Sequence, residues 1–376
     1  MPEQVTTQTI SPDLKFVKDI IASGGESLKK CYQCSTCTVV CNITPDNNPF
    51  PRKEMMYAQW GMKDKLISNP DIWLCHQCSD CTAYCPRGAK PGEVIGAVRN
   101  LAIQHYSPTP LAKMVGDPKY LLLLFAIPVL LFLAYIVPKG FLDISAIPRG
   151  EDGGIVYSKF MPIFPAIDVT FGVTAFFAAV CFVLGIKKYW TDMSTGVKVQ
   201  GNLMDSIKAT IIDIITHKKF EKCNVTKDRK TAHLLVFYSF VGLTITTTLA
   251  VVYLYGFGYE SPYPLYNPLK IIGNISAVTL LYGITLVVGN RLKNAEKAGK
   301  GSYFDWLFIT VIAAVAVTGM GAQLFRLADI AILAYPTYFA HLVFVFFLFA
   351  YAPFSKMAHM FYRTTAMVFA KHTKRD

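Results

Sequence analysis

Two stretches concentrate the residues able to do chemistry: CYQCSTCTVVC, beginning at Cys31, and CHQCSDCTAYCP, beginning at Cys75. Both are spaced C-x2-C-x2-C-x3-C, and together they use eight of the ten cysteines in a 376-residue chain. Disulfides account poorly for thiols this close together, and the polar first thirty residues carry no export signal. Metal ligation fits better. A structural zinc site takes two close cysteines, a gap, and then two more ligands. Four in a run, with Cys-Pro closing the second, is the bacterial 4Fe-4S spacing, in which the fourth Cys serves the other cluster. The spacing therefore assigns Cys31, Cys34, Cys37 and Cys85 to a first 4Fe-4S cluster, and Cys75, Cys78, Cys81 and Cys41 to a second. This crossing would tie both runs into one folded unit. The first run departs from the pattern in reading CNITP, without Pro directly after its last Cys. His76, between two ligands, reads as a surface or supporting residue, because thiolates already fill both clusters.

The elements that must hold these runs are helical. In the 33 residues between them, Pro51 opens a helix carrying Met55, Met56, Ala58, Trp60 and Met62, with Gly61 and Asn69-Pro70 as stop signals. GEVIGAVRNLAIQHY, after the second run, also reads as a helix. This part is similar to α-helical ferredoxins such as succinate dehydrogenase iron–sulfur subunits and the C-type subunits of heterodisulfide reductases.

Beyond the linker SPTPLAKMVGDPK the chain turns apolar; overall it is 53% hydrophobic and 16% charged, with mean hydropathy +0.36. Six segments approach bilayer-spanning length, at about 120–137, 163–186, 232–257, 269–290, 304–325 and 332–353. Pro128 and Pro353 are kinks that a membrane helix tolerates. The expected fold is all-α: a ferredoxin domain with two 4Fe-4S sites over 1–106, a linker over 107–119, a six-helix transmembrane bundle over 120–360, and a tail over 361–376. Lysine and arginine set the orientation. Between 187 and 231 lie Lys187, Lys188, Lys198, Lys208, Lys218, Lys219, Lys222, Lys227, Arg229 and Lys230; the loop 291–303 adds Arg291, Lys293, Lys297 and Lys300. The opposite loops hold almost none beyond Arg326. The cluster domain and the C-terminus are thus expected on the cytoplasmic side of an inner membrane. The net charge of +12 reads as a topology signal with affinity for anionic lipid, and not as a nucleic-acid footprint. Leu203, Ile207, Ile211, Ile214 and Ile215 share one face of a helix over about 203–217, expected to lie flat on that membrane surface.

Imidazoles in or beside the spans are the next candidates. His233 starts the third span; His341 and His359 lie on and just beyond the sixth, 18 residues apart. On one continuous helix that is five turns, putting both on one face about 27 Å apart along the axis. His233 and His359 belong at the same membrane depth, and a bis-His haem b between them is the expectation. His341 lies toward the outer side and lacks a His partner.

The last spans resemble the γ-subunit family of respiratory nitrate reductase. Across CYQCSTCTVVC, LCHQCSDCTAYCPRGAKPGEVIGAVRNLAIQHY, THKKFEKCNVTKDRKTAHLLVFYSFVGL and HLVFVFFLFAYAPFSKMAHMFYRTTAM, the chain resembles the C-subunit family of the quinone-interacting membrane-bound oxidoreductase (Qmo). That resemblance implies a heterodisulfide-reductase-C-like ferredoxin fused to an E-like cytochrome b. It implies menaquinol oxidation, with electrons passed through haem b and the clusters to heterodisulfide-reductase-A-like flavin and iron–sulfur subunits and onward to adenylylsulfate reductase in sulfate respiration. One departure is that the nitrate-reductase relatives carry a further His where Leu243 stands. The partner of His341 is then open between a second haem, a quinone, and a hydroxyl such as Thr244, Thr246 or Thr247; Met320 is an alternative ligand, and His217 a further haem or quinone contact, expected at the cytoplasmic surface. Cys181 reads as a small buried hydrophobe and Cys223 as structural, while Asp168, Arg326 and Asp329 read as interfacial charge with quinol-proton handling as the alternative. Other function classes are a cytochrome b subunit of a heterodisulfide-reductase or sulfite-reductase-linked complex, and a non-redox membrane anchor. No Gly-rich nucleotide loop marks the soluble part, so flavin chemistry belongs to a partner.

Overall fold

The computed structural model describes residues 11–217, 222–224 and 229–375. Lys218, Lys219 and Lys227, counted above in the basic stretch, lie outside the described residues. Among the described residues every regular element is helical, with no strand.

The N-terminal part is a set of short helices wrapped around one long one, Pro91–Tyr106. Pro91 starts that helix where its missing N–H costs nothing. Its buried residues Val94, Ile95, Val98 and Ala102 pack with Ile20, Leu28, Met55, Leu66 and Trp73. The helix read from Pro51 runs Arg52–Gln59, with Pro51 capping it from outside. Gly61 ends it in the left-handed region, φ +63°, and a Cβ there would sit 2.6 Å from the Asp13 carbonyl oxygen, so only glycine lets the two segments meet.

Six helices are long and apolar enough to cross a bilayer: Pro118–Lys139, Ile163–Ser194, Arg229–Gly256, Pro268–Lys293, Tyr303–Leu327 and Ala331–Ala350. The third pairs with the fourth and the fifth with the sixth as antiparallel hairpins, while the first and second pack against the sixth. Leu203–Thr216 forms the expected amphipathic helix, capped by Asn202, whose side chain accepts from Met204 N at 2.8 Å.

The sixth helix departs from expectation. It stops at Ala350; 3-10 turns follow at Ala352–Phe354 and Lys356–Ala358, and a separate helix begins at His359. Pro353 is the physical reason: it has no N–H to give the carbonyl of Phe349, and its ring collides with that turn. His341 and His359 are therefore not on one continuous helix, and the five-turn relation between them does not hold. Residues expected as a tail form most of helix His359–His372, which buries Tyr362, Ala366, Met367, Val368, Phe369 and Ala370.

That last helix joins the two parts. Tyr362 stacks on Trp73 with ring centroids 5.3 Å apart. Arg375 gives two hydrogen bonds to the fully buried Asp71 carboxylate, at 2.5 and 3.1 Å, and Lys53 reaches the same carboxylate at 3.0 Å.

Candidate redox centres

The two cysteine runs have the same backbone. Gln33 and Ser35 flank Cys34 with φ of 59° and 69°, and Gln77 and Ser79 flank Cys78 with φ of 52° and 67°. Each run then enters a four-residue helix, Thr36–Val39 or Asp80–Ala83. Left-handed residues alternating with ordinary ones curl the chain so that successive N–H groups face inward, a shape suited to the sulfurs of an anionic cluster. One of these N–H groups already points at sulfur, Gln77 N donating to Cys75 Sγ at 3.3 Å; past the run, Ala89 N donates to Cys85 Sγ at the same distance.

The two runs lie against each other, helix Thr36–Val39 beside helix Asp80–Ala83. Cys85 lies within charge-interaction range of Cys31, and Cys41 within range of Cys75 and Cys78. Cys81 feels Cys75 and Cys78 most, then Cys41, and Cys37 least. Burial pushes the Cys37 thiol up to about 11 and the Cys41 thiol up to about 12, with neighbouring sulfurs adding to both. Such thiols become thiolates only beside strong positive charge, which a metal cluster brings. Among the described residues no three His, Cys, Asp or Glu side chains converge on a point as the ligands of one metal ion do, the spacing a zinc tetrahedron needs.

Between the second run and the spans is a cavity of about 330 Å³. His233, on the third span, and His359 both line it, as do Trp73, His76 and Gln77 of the second-run region. The two imidazoles are close enough to interact electrostatically. His359 donates from Nδ1 to the Lys356 carbonyl, which directs its Nε2 to a ligand. Burial holds His359 down at about 4, so its ring is neutral, the form that binds iron. His217 is turned inward against His233: it is 5% exposed, and its Nε2 lies 3.0 Å from His233 Nδ1. The physical reason is its backbone. His217 leaves the amphipathic helix in the left-handed region, φ 51°, so the helical periodicity that places its neighbours does not place it. From this position His217 can set which nitrogen of His233 carries the proton.

The sequence gives little warning of the cations of this cavity: Arg99, Arg229, Arg291, Lys356 and Arg363. Arg99 and Arg229 donate to the backbone carbonyls of Cys75 and Gln77, and Arg363 reaches Cys75 O at 3.5 Å. Asp305 pairs with Lys356, and with Arg291 at 3.6 Å. Asp305 inside an apolar segment is the signal the sequence does carry. A haem would fit this chemistry: two imidazoles for the iron, and guanidinium groups for its carboxylates.

His341 is elsewhere. Its Nδ1 lies 3.1 Å from Val315 O and 3.2 Å from Thr318 Oγ1. Gly319 lets it approach so closely; a Cβ there would be 2.9 Å from His341 Cε1. Thr244, Thr246 and Thr247 instead bond the carbonyls of Phe240, Gly242 and Leu243 on their own helix, so the hydroxyl partner comes from the fifth span and not the third. At the opposite end of the spans Asp168 accepts from Tyr255, and Asp329 pairs with Arg149 at 2.7 Å. Cys181 is buried within the second span, in keeping with a small hydrophobe.

Fold and sequence together define an all-helical protein in which an iron–sulfur dicluster part precedes six helices long and apolar enough to span a membrane. Residues 27–89 match the 4Fe-4S dicluster domain family. Residues 114–376 match the family described as Citrate utilization protein B, and the chain belongs to that family. It is 24% identical over 363 residues to Citrate utilization protein B of Escherichia coli, covering 91% of this chain and 89% of that one. The N-terminal part is 38% identical over 108 residues to the C-type subunit of the H(2):CoB-CoM heterodisulfide,ferredoxin reductase of Methanothermobacter marburgensis. It is 35% identical over 95 residues to a protein of Archaeoglobus profundus that is itself like the C-type subunit of heterodisulfide reductase. These matches cover 28% and 25% of this chain, and 57% and 50% of the relatives.

Proposed function

We propose that this chain is the membrane electron-transfer subunit of a quinone-linked oxidoreductase. In this reading it oxidises menaquinol and delivers electrons to cytoplasmic flavin and iron–sulfur subunits of the heterodisulfide-reductase-A type. Adenylylsulfate reductase is then the final acceptor, as in the Qmo complex that the sequence resembles. The supporting observation is the cavity shared by the second cysteine run, His233 and His359.

In this proposal Cys31, Cys34, Cys37 and Cys85 hold one 4Fe-4S cluster, Cys75, Cys78, Cys81 and Cys41 the other, and His233 and His359 a haem b. These groups supply one-electron storage at graded potentials. The chain's own residues do the rest. His217 and the Lys356 carbonyl orient the two imidazoles. Arg99 and Arg229 tie the wall of the cavity to the second run through Cys75 O and Gln77 O. His341, beside Thr318 on the fifth span, is the candidate second haem ligand or quinone contact. The basic segments following the second and fourth spans favour a cluster part and a C-terminus on the cytoplasmic side of the inner membrane.

A reduced-minus-oxidised optical spectrum of the purified chain tests this. The proposal expects a b-type band that disappears in His359→Ala; a wild-type chain with full cluster iron and no such band refutes it and leaves a membrane anchor. A second reading keeps the redox centres and changes the soluble partner to one from citrate utilization, favoured by the end-to-end match to the Escherichia coli protein. Co-purification from the native host separates the two.

A further inference from the structure

The two cysteine runs have different surroundings. The second is held to the membrane part: Arg229 donates to Gln77 O, and Arg363 reaches Cys75 O at 3.5 Å. Of the eight cysteines in the runs, Cys34 in the first is the exposed one, while Cys75 and Cys81 in the second are buried. Near Cys34 large apolar side chains stand in the open: Tyr32 is 68% exposed, Val39 81% and Tyr84 54%. They share one face. The Arg87 guanidinium, just past the second run, lies 4.2 Å from the centre of the Tyr32 ring. Val39 closes helix Thr36–Val39, which lies beside helix Asp80–Ala83, and Tyr84 follows directly on the latter.

Cations fringe these residues. Lys29 and Lys30 end the 3-10 helix that leads into Cys31, and both are exposed, as are Arg52 and Arg87. Arg52 is fastened to the first run: its backbone N donates to Thr38 Oγ1 at 3.1 Å and its Nε to Gln33 O at 3.0 Å. Residues 29–41 and 81–90 hold Lys29, Lys30, Arg87 and Lys90 and no Asp or Glu. An exposed apolar centre inside a charged rim is the anatomy of a protein-docking surface, and a rim of one sign selects a partner of the other.

We propose that the face centred on Cys34, with Tyr32, Val39 and Tyr84 inside its cationic rim, is where a soluble redox protein with an acidic contact surface docks and takes electrons. The exposed Cys34 decides for this occupant. Electron transfer weakens steeply with distance, so an acceptor must be seated there, whereas a lipid surface would insulate it. In each transfer one electron leaves the cluster held by Cys31, Cys34, Cys37 and Cys85 and reduces the acceptor's flavin or iron–sulfur centre by one; no bond breaks and no proton crosses the face. Electrons thus enter the ferredoxin part at the second run, beside the cavity, and leave it at the first. This rests on the cluster ligation and the direction of flow proposed above.

The test is equilibrium binding and electron transfer between the full-length chain in neutral-lipid nanodiscs and a purified acidic flavodoxin as probe, with cluster iron measured on every sample. Wild type should bind the flavodoxin, and more weakly as salt is raised. Lys30→Glu/Arg87→Glu should weaken binding by roughly 10-fold or more at low salt and slow flavodoxin reduction in proportion, with cluster iron unchanged. Lys113→Glu/Lys198→Glu, the same charge change on exposed residues outside both runs, should leave both readouts as in wild type. Lys30→Gln/Arg87→Gln should fall between the two and carries the test if the reversed pair does not accumulate. Wild-type binding that is absent or indifferent to salt overturns the inference. So does equal weakening in the two reversed pairs, since net charge alone then draws the probe. Lost flotation with phosphatidylglycerol vesicles in Lys30→Glu/Arg87→Glu, with flavodoxin binding kept, overturns it by giving the face to lipid. A wild-type chain without cluster iron overturns the ligation itself and this inference with it.

Discussion

Arg375→Ala should release the last helix from the ferredoxin part. Asp71 is fully buried, and Arg375 supplies two of its hydrogen bonds, at 2.5 and 3.1 Å, with Lys53 at 3.0 Å as the remaining cation. Removing one partner of a buried ion pair costs about 3–5 kcal/mol when nothing replaces it. Here Lys53 stays and the Arg375 side chain is 21% exposed, so the cost should be about 2 kcal/mol. At about 1.4 kcal/mol per decade, that is roughly a 30-fold rise in local opening. Hydrogen exchange reads it directly: amides of His359–His372 should lose roughly 30-fold in protection, while those of the fourth and fifth spans do not change. Arg375→Lys keeps the charge without the fork and should recover about half the effect. A protection change under about 3-fold in Arg375→Ala would show that Trp73–Tyr362 stacking and apolar burial hold the helix without this pair.

Cys85→Ser should alter the electron paramagnetic resonance signal of the cluster held by Cys31, Cys34 and Cys37, although Cys85 belongs to the second run; a change confined to the other signal contradicts crossed ligation. His341→Ala should keep the His233–His359 haem and abolish quinol turnover; a halved haem content would instead mark a second haem, and full haem with normal turnover would make the residue structural. Glu54 is buried with Asp71 beside it, and these push its carboxyl up to about 8 from an ordinary 4.5. A raised acid favours the folded state below its unfolded pKa, and that contribution is lost as pH rises through about 8, by at most about 5 kcal/mol. Thermal unfolding of the detergent-solubilised chain should therefore show lower stability at pH 9 than at pH 6, and Glu54→Gln should flatten the difference; an unchanged slope in that variant refutes the role.

The kinship of the two cysteine runs is legible because ligand spacing is local: two repeats of one spacing carry the same left-handed residues at the same places. The six spans are legible because a run of apolar residues of bilayer length has few other uses. The break after Ala350 is not, because Pro353 is compatible with either a kink or a stop. Neighbours re-satisfy a freed carbonyl in some membrane helices; here the chain leaves the helix for two 3-10 turns instead. The cations of the cavity are hardly legible, since Arg99, Arg229, Arg291, Lys356 and Arg363 come from separate segments and meet only in three dimensions. The partner of His341 is hidden for the same reason: Val315 and Thr318 are ordinary span residues until Gly319 lets the imidazole in.

The most direct measurement is non-haem iron and pyridine haemochrome per chain on the purified full-length protein. Two 4Fe-4S clusters and a bis-His haem require about eight non-haem irons with at least one b-type haem, the haem lost and the cluster iron kept in His233→Ala. Zinc in place of iron, or full cluster iron with no haem in the wild type, would contradict it.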